Sequence, residues 1–368
     1  MIQLTFKQPA SIDTQRNYVS AVQAGVPYLM TNYQVGQSIP QEACSRLEPY
    51  RNVNAYEGQP LKDQSLLILW LAGMGDTISF APALLSLQQQ YPQARIDLLT
   101  IPVLYEILQS AGFTGTMVPY PAPTKVAEAY DYFLPLEELG RDPAHLQLDS
   151  IDFAAKLLGQ PSGLAAPTFS IDAAAREKMK LPPSPLIRAG LQIKGLSPLR
   201  TYPSDLLAQV LRGLVRGGYE VHLLGAEGDC AAPSAPPLLY NDCGKTTTFS
   251  ETAALVEQMQ VMICPDSYLL HLAGALQIPT VAIFSTIAPR LRVSRYPSVA
   301  ALAPDLPCAP CSVVQDDRCP IGHPECVAFR SASVSPEVIL KTVHTLILDQ
   351  LAREDAAASP SQTSNELL

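Results

Sequence analysis

The sequence predicts an α/β protein built of two doubly wound domains facing a cleft, and three observations carry that reading. Residues 262–284, MICPDSYLLHLAGALQIPTVAIF, hold a short apolar strand, a polar break at Cys264–Ser267, a helix, and a second apolar strand at Thr280–Phe284. In doubly wound sheets such a break is where ligands sit, because strand C-termini and a helix N-terminus converge there. Far upstream the arrangement recurs: Leu66–Leu71, then Gly73-Met74-Gly75-Asp76, then a helix over Thr77–Tyr91. With the strand Arg95–Thr100, Leu66–Thr100 is a βαβ unit for which a right-handed crossover is expected. Third, 368 residues exceed one ordinary core.

The elements follow in order. Residues 1–62, rich in Gln, Asn, Pro and Tyr, read as an extension with one short helix over Ile12–Ala24. Residues 63–180 form the first domain: Leu66–Leu71 is continuously apolar and short, hence a buried strand. Ile78, Ala81, Leu84, Leu85 and Leu87 give the next helix an apolar face. Strands at Thr116–Tyr120 and Tyr132–Leu136 and helices at Tyr105–Ala111 and Ser150–Leu158 complete it. Pro161–Pro185, with a short helix at Ala173–Met179, connects to a second domain over residues 185–330. There Ile187–Ile193, Glu220–Leu224, Val261–Cys264 and Thr280–Phe284 are strands, and Leu206–Arg216 and Phe249–Met259 are helices. Gly217–Gly218 ends the first of these as a C-cap. A closing helix over 331–351 and a disordered tail over 352–368 finish the chain.

Composition excludes several functions. A net charge of −9 argues against general affinity for nucleic acid or anionic membranes. No apolar run reaches the length of a membrane span, and the N-terminus lacks the pattern of a signal peptide. The expected location is cytoplasmic, at most peripheral to the inner membrane. Cys44, Cys230, Cys243 and Cys264 are scattered singly and read as reduced thiols.

Read by residue type alone, Asp76, Asp266 and Ser267 are candidates for helix N-caps as much as for ligand contacts, since their oxygens satisfy first-turn N–H groups. His271 alone reads as a packed core histidine. Gly73 and Gly75 let the backbone approach a ligand closely. Two such switch points, one per domain, carry more weight than either alone.

Together these segments resemble glycosyltransferase family 9, the ADP-heptose:lipopolysaccharide heptosyltransferases, which have the GT-B fold of two Rossmann-like domains. MGDTISFAPALLSLQQQYPQARIDLL is similar to the family's opening, and PDSYLLHLAGALQIPTVAIF to its nucleotide-sugar loop. Leu224-Gly225-Ala226-Glu227 resembles its G-x-x-E segment, and Arg200-Thr201-Tyr202-Pro203 its K/R-x-W-P element. The resemblance covers roughly residues 65 to 345. It implies Asp76 as general base on an acceptor hydroxyl and Arg200, with Lys194, on the donor diphosphate. It further implies Glu227 on the ribose, and Asp266, Ser267 and His271 shaping the donor site. The implied partners are a nucleotide-sugar donor, ADP-sugar favoured, and a glycan or glycolipid acceptor. The implied transfer is inverting and requires no cofactor.

The chain departs from the family in three places. Tyr268 stands where the loop has glycine, Ser285-Thr286-Ile287-Ala288-Pro289 replaces a glycine- and acid-bearing turn, and no Asp-x-Gln segment occurs between Tyr120 and Ser150. A catalytically silent nucleotide- or glycan-binding protein and a nucleotide-sugar epimerase are the rival readings. Separately, Cys308, Cys311, Cys319 and Cys326, with His323 among them, form a candidate structural zinc site, with a disulfide or free thiols as the alternatives.

Overall fold

The structure is a computed structural model describing residues 18–23, 26–31, 48–49, 53–136, 142–192, 194–195, 197–229, 237–312 and 318–358. The chain divides into two compact units, Met1–Pro167 and Thr168–Leu368.

In the first unit, Tyr18–Gln23 (β1) pairs antiparallel with Val26–Thr31 (β2), and Glu48–Pro49 (β3) lies along the other side of β1. The helix expected over Ile12–Ala24 is thus a strand in its described part. Its six-rung hairpin pairing with β2, with β3 on its other edge, outweighs a weak local helix preference. Ser65–Trp70 (β4), Met74–Gln90 (α1) and Arg95–Thr100 (β5) form the expected βαβ unit. Tyr105–Ser110 (α2), Met117–Pro119 (β6), Ala122–Pro123 (β7), Thr124–Glu128 (α3), Tyr132–Pro135 (β8) and Ser150–Leu157 (α4) follow. β7 adds to the β2 edge, while the parallel sheet runs β6-β5-β4-β8. Continuous burial of Leu66–Trp70 reflects a parallel strand covered on both faces. Trp70 stacks on Phe80 with centroids 3.9 Å apart and donates its indole N–H to Thr77 Oγ1 at 2.9 Å, which pins α1 to the end of β4.

The second unit opens with Ala173–Lys178 (α5) and Arg188–Gln192 (β9). Ser204–Arg216 (α6), Glu220–Leu224 (β10), Leu239–Asn241 (β11), Phe249–Val256 (α7) and Val261–Pro265 (β12) come next. Tyr268–Ala275 (α8), Thr280–Ile283 (β13), Val299–Leu302 (β14) and Pro336–Ala358 (α9) complete it. All six strands are parallel, in the order β11-β10-β9-β12-β13-β14. One core cluster joins the strands to α6 and α9, with Tyr202 donating to the Val334 carbonyl at 2.7 Å.

The structure adds one strand and lengthens one helix. β14, absent from the expected strands, pairs with Thr280–Ile283 along four residues. The closing helix continues to Ala358 rather than ending at Leu351, so the start of the expected tail is helical; residues 359–368 lie outside the described residues. Among the described residues no helix is long and apolar enough to cross a membrane.

Strand order fixes where ligands can sit. In the second sheet the chain leaves β9 toward β10 and β11, then returns to β12 on β9's other side. The switch point therefore lies at the C-terminal ends of β9 and β12. In the first sheet the chain leaves β4 toward β5 and β6 and returns to β8, so the switch point is at the C-terminal end of β4. Carboxyl-end crevices at such points are the binding places of open α/β sheets.

Candidate functional site

In the second unit the switch point gathers most of the residues singled out from sequence. Gln192 ends β9, and Asp266 and Ser267 follow β12. Ser267 Oγ donates to Gln192 Oε1 at 2.5 Å, while Gln192 Nε2 donates to the Lys194 carbonyl at 2.8 Å. Gln192 thus ties the Lys194 segment to the start of α8. A backbone reading of that segment explains Gly195: a Cβ there would lie 2.6 Å from the Arg200 carbonyl oxygen. The chain folds back tightly into the short turn Pro198–Arg200, whose N-cap Ser197 accepts from Leu199 N–H.

That turn aims Arg200 at Asp266, with Nη1 and Oδ2 3.9 Å apart; Asp266 is 5% exposed. Lys194 pairs instead with Asp229, at 3.2 Å. Asp229 Oδ2 also accepts from Ala226 N–H at 2.8 Å, closing the turn that carries Glu227. Glu227 itself is exposed, and Gly244 packs on its backbone so closely that a Cβ would fall 2.9 Å from Glu227 Cα. His271 is buried in α8, edge-to-face with Tyr296, its Nδ1 3.4 Å from the Tyr296 hydroxyl. Burial, and then the neighbouring Asp266 charge, push the Cys264 thiol well above its ordinary pKa.

The capping reading fails for all three candidates. Ser267 holds the N-cap position of α8 but makes no side-chain cap bond, its hydroxyl being given to Gln192. Asp266 lies one residue before the cap. In the first unit Gly73 is the N-cap of α1, without a side-chain cap, and Asp76 is an exposed first-turn residue. Its Oδ2 folds back to 3.4 Å from where a Gly73 Cβ would lie, an ordinary contact distance.

Sequence reasoning missed Gln192, Asp229 and Ser285, whose Oγ donates to the Leu199 carbonyl at 2.7 Å. Gln192 carried a signal in its position at the C-end of the strand beside the switch point. Asp229 and Ser285 carried none, because their partners lie far away in sequence or on the backbone.

The four clustered cysteines are free thiols, each half-buried. They do not converge on one point: among the described residues no group of three or more His, Cys, Asp or Glu is arranged to hold a metal ion. Instead all four line a cavity of about 270 Å³ shared with Leu199 and Thr286. His323 is exposed and not part of its wall. Of the scattered cysteines, Cys264 is free and buried, but Cys243 is disulfide-bonded rather than a reduced thiol.

Residues 145–320 match the family profile described as glycosyltransferase family 9 (heptosyltransferase). No curated protein matches the chain by sequence. Among solved structures, the ADP-heptose lipopolysaccharide heptosyltransferase II of E. coli superposes with a TM-score of 0.60 at 16% identity, over 78% of this chain and 99% of that one. A family 9 glycosyl transferase from Veillonella parvula gives 0.63 at 16% identity, over 80% and 100%. The dodecameric, iron-containing heptosyltransferase TibC of enterotoxigenic E. coli, in complex with ADP-D-beta-D-heptose, gives 0.61 at 13% identity, over 91% and 92%. The profile falls chiefly on the second unit, and the superpositions extend the shared fold over most of the chain. On these grounds the chain has the GT-B fold, and its residues 145–320 are similar to glycosyltransferase family 9 (heptosyltransferase).

Proposed function

We propose that the chain transfers a heptose-like sugar from a nucleoside diphosphate donor, ADP-sugar favoured, to a hydroxyl of a cell-surface glycan or lipopolysaccharide-type acceptor. The observation that carries this reading is the arrangement at the second switch point. Arg200, Lys194 and the uncapped start of α8 supply positive charge beside Asp266 and Ser267, at the crevice where this sheet topology binds ligands. A diphosphate entering there would compete with Asp266 and Asp229 for the two cations. Glu227, exposed on its turn, is the candidate for the ribose hydroxyls, and His271 shapes the floor.

In the transfer, Asp76 takes the proton of the acceptor hydroxyl as its oxygen bonds to the anomeric carbon. The bond from that carbon to the diphosphate oxygen breaks, and the leaving charge settles on Arg200, Lys194 and the α8 N–H groups. Attack from the face opposite the leaving group inverts the anomeric centre. We infer that these groups let the transfer run without a metal ion or other cofactor.

A second reading, a catalytically silent nucleotide- or glycan-binding protein, is favoured by the carboxylates already facing both cations and by Tyr268 in the loop. Thermal shifts across ADP, UDP, GDP, CDP and their sugar conjugates separate the two. A ligand at about a hundred times its Kd adds about 2.7 kcal/mol of stability. We expect ADP or an ADP-sugar to raise the melting temperature of the wild type by several degrees and of Asp266→Ala by far less. No shift with any nucleotide would overturn the transferase reading and leave a catalytically silent protein that binds a glycan.

A further inference from the structure

We propose that two copies of the chain associate through α9, the helices lying antiparallel so that Leu348 of each meets Leu351 of the other. The first half of α9 is rooted in the second unit, with Ile339, Val343 and Ile347 buried in its core. Beyond Ile347 the rooting stops. From Leu348 to Asp355 only Gln350 is half-buried and the rest are exposed, yet the helix runs on to Ala358. The stretch Leu348–Ala358 is about 16 Å long at 1.5 Å per residue. A helix of that length is marginal in water without tertiary packing.

Spacing marks out the face that pairs. Lys341, His344, Leu348, Leu351 and Asp355 follow one another at intervals of three, four, three and four. That alternation is the repeat by which two helices interlock side chains. All five are exposed, Leu348 at 52% and Leu351 at 48%. At about 100° per residue they fall on one stripe, turned about a third of a turn from the buried stripe of Ile339, Val343 and Ile347. Among the described residues no other two exposed large apolar side chains share a helix.

Charge selects the partner and its direction. Lys341 and His344 stand at the rooted end of the stripe, and Asp355, beside Glu354, at its outer end. In a parallel pair each would face its own kind, which is unfavourable for like charges. Reversed about an axis between Asp349 and Gln350, Leu348 lies on Leu351 of the second copy and His344 faces Asp355 of the second copy. An imidazole N–H donates to a carboxylate, and Lys341, one turn away, extends toward the same group. The stripe is thus complementary to itself, as a twofold contact requires. Each outer end then lies along the rooted half of the other helix and gains the packing that its own unit does not supply. Two leucine layers flanked by charges fall short of the standard interface of about 1,600 Å², so the dimer is weak, dissociating on the order of 10 µM.

The test is analytical sedimentation of the full chain from well below to well above that concentration. A reversible monomer–dimer equilibrium is expected. Leu348→Glu and Leu351→Glu, at exposed positions, should keep the wild-type melting temperature and weaken the dimer at least about tenfold, the change that 1.4 kcal/mol makes. Asp355→Lys should also weaken it, and adding His344→Asp should recover affinity by restoring opposite charges across the axis. No recovery in the double variant overturns the antiparallel pairing. A dimer left intact by both leucine variants overturns the proposal, as does a chain monomeric at every concentration. In the monomeric case the melting temperature identifies what meets the leucines instead. A fall in Leu348→Glu means that the same chain covers them, and no change means that they stand in water.

Discussion

His222 lies buried between two carboxylates, 2.6 Å from Asp242 Oδ2 and 3.0 Å from Glu220 Oε1, with Tyr240 stacked on its ring. Burial raises the Glu220 carboxyl, but hydrogen bonds from Ser184, Arg188 and His222 outweigh it and hold the group at about 2, against an ordinary 4.5. A carboxylate depressed in the folded state contributes stability that is present above its unfolded value and lost as pH falls toward the folded one. The melting temperature should therefore drop between about pH 4.5 and pH 2. Glu220→Gln should cost about 2 kcal/mol at neutral pH, the order of a charged hydrogen bond, and flatten that acid limb. A limb of unchanged steepness would refute the assignment. At this scale the sequence spoke unevenly. Asp76 and Asp266 could be picked out because a strand, a polar break and a helix surround each in a recognisable pattern. Whether they capped those helices was beyond reach, since that depends on side-chain torsion and on partners such as Gln192, 75 positions from Ser267.

Among the elements, α8 is the one on which the proposed donor site depends, and its seat is tight. Gly274 faces the buried ring of Tyr296, where a Cβ would lie 2.5 Å from Cγ, and the same ring meets His271 edge-on with centroids 5.9 Å apart. An exposed helical glycine changed to alanine gains about 1 kcal/mol; here overpacking costs about 1–3 kcal/mol. Gly274→Ala should thus lower the melting temperature, and by displacing α8 it should weaken nucleotide binding as well. A rise in melting temperature would show that the contact yields easily. The parallel strands were legible for a physical reason: burial on both faces makes Leu66–Trp70 or Val261–Cys264 continuously apolar. β14 was not, because VAAL is four residues long with two alanines, and its strand state is conferred by β13 beside it. β1 escaped for the same reason, its conformation being set by β2 rather than by its own residues.

Across the whole molecule, the two proposed halves of the chemistry are divided between the two units. Every proposed donor contact, Lys194, Arg200, Glu227, Asp266, Ser267 and His271, falls in Thr168–Leu368, and the proposed base Asp76 falls in Met1–Pro167. The second unit has its own six-stranded sheet and a core cluster drawn wholly from its own residues, from Ala189 to Ile347. It meets the ordinary conditions for folding by itself. Expressed alone, residues 168–368 should unfold cooperatively and bind ADP within about threefold of the full chain, a difference under 1 kcal/mol, yet transfer no sugar. Full-length Asp76→Asn should behave alike in both assays, keeping the nucleotide while losing at least about 10²-fold in kcat, the lower range for removing a general base. If the isolated unit folds but does not bind ADP, then residues of Met1–Pro167 are part of the nucleotide site. If Asp76→Asn retains full activity, the proton is taken elsewhere, and the first switch point serves the acceptor by position alone.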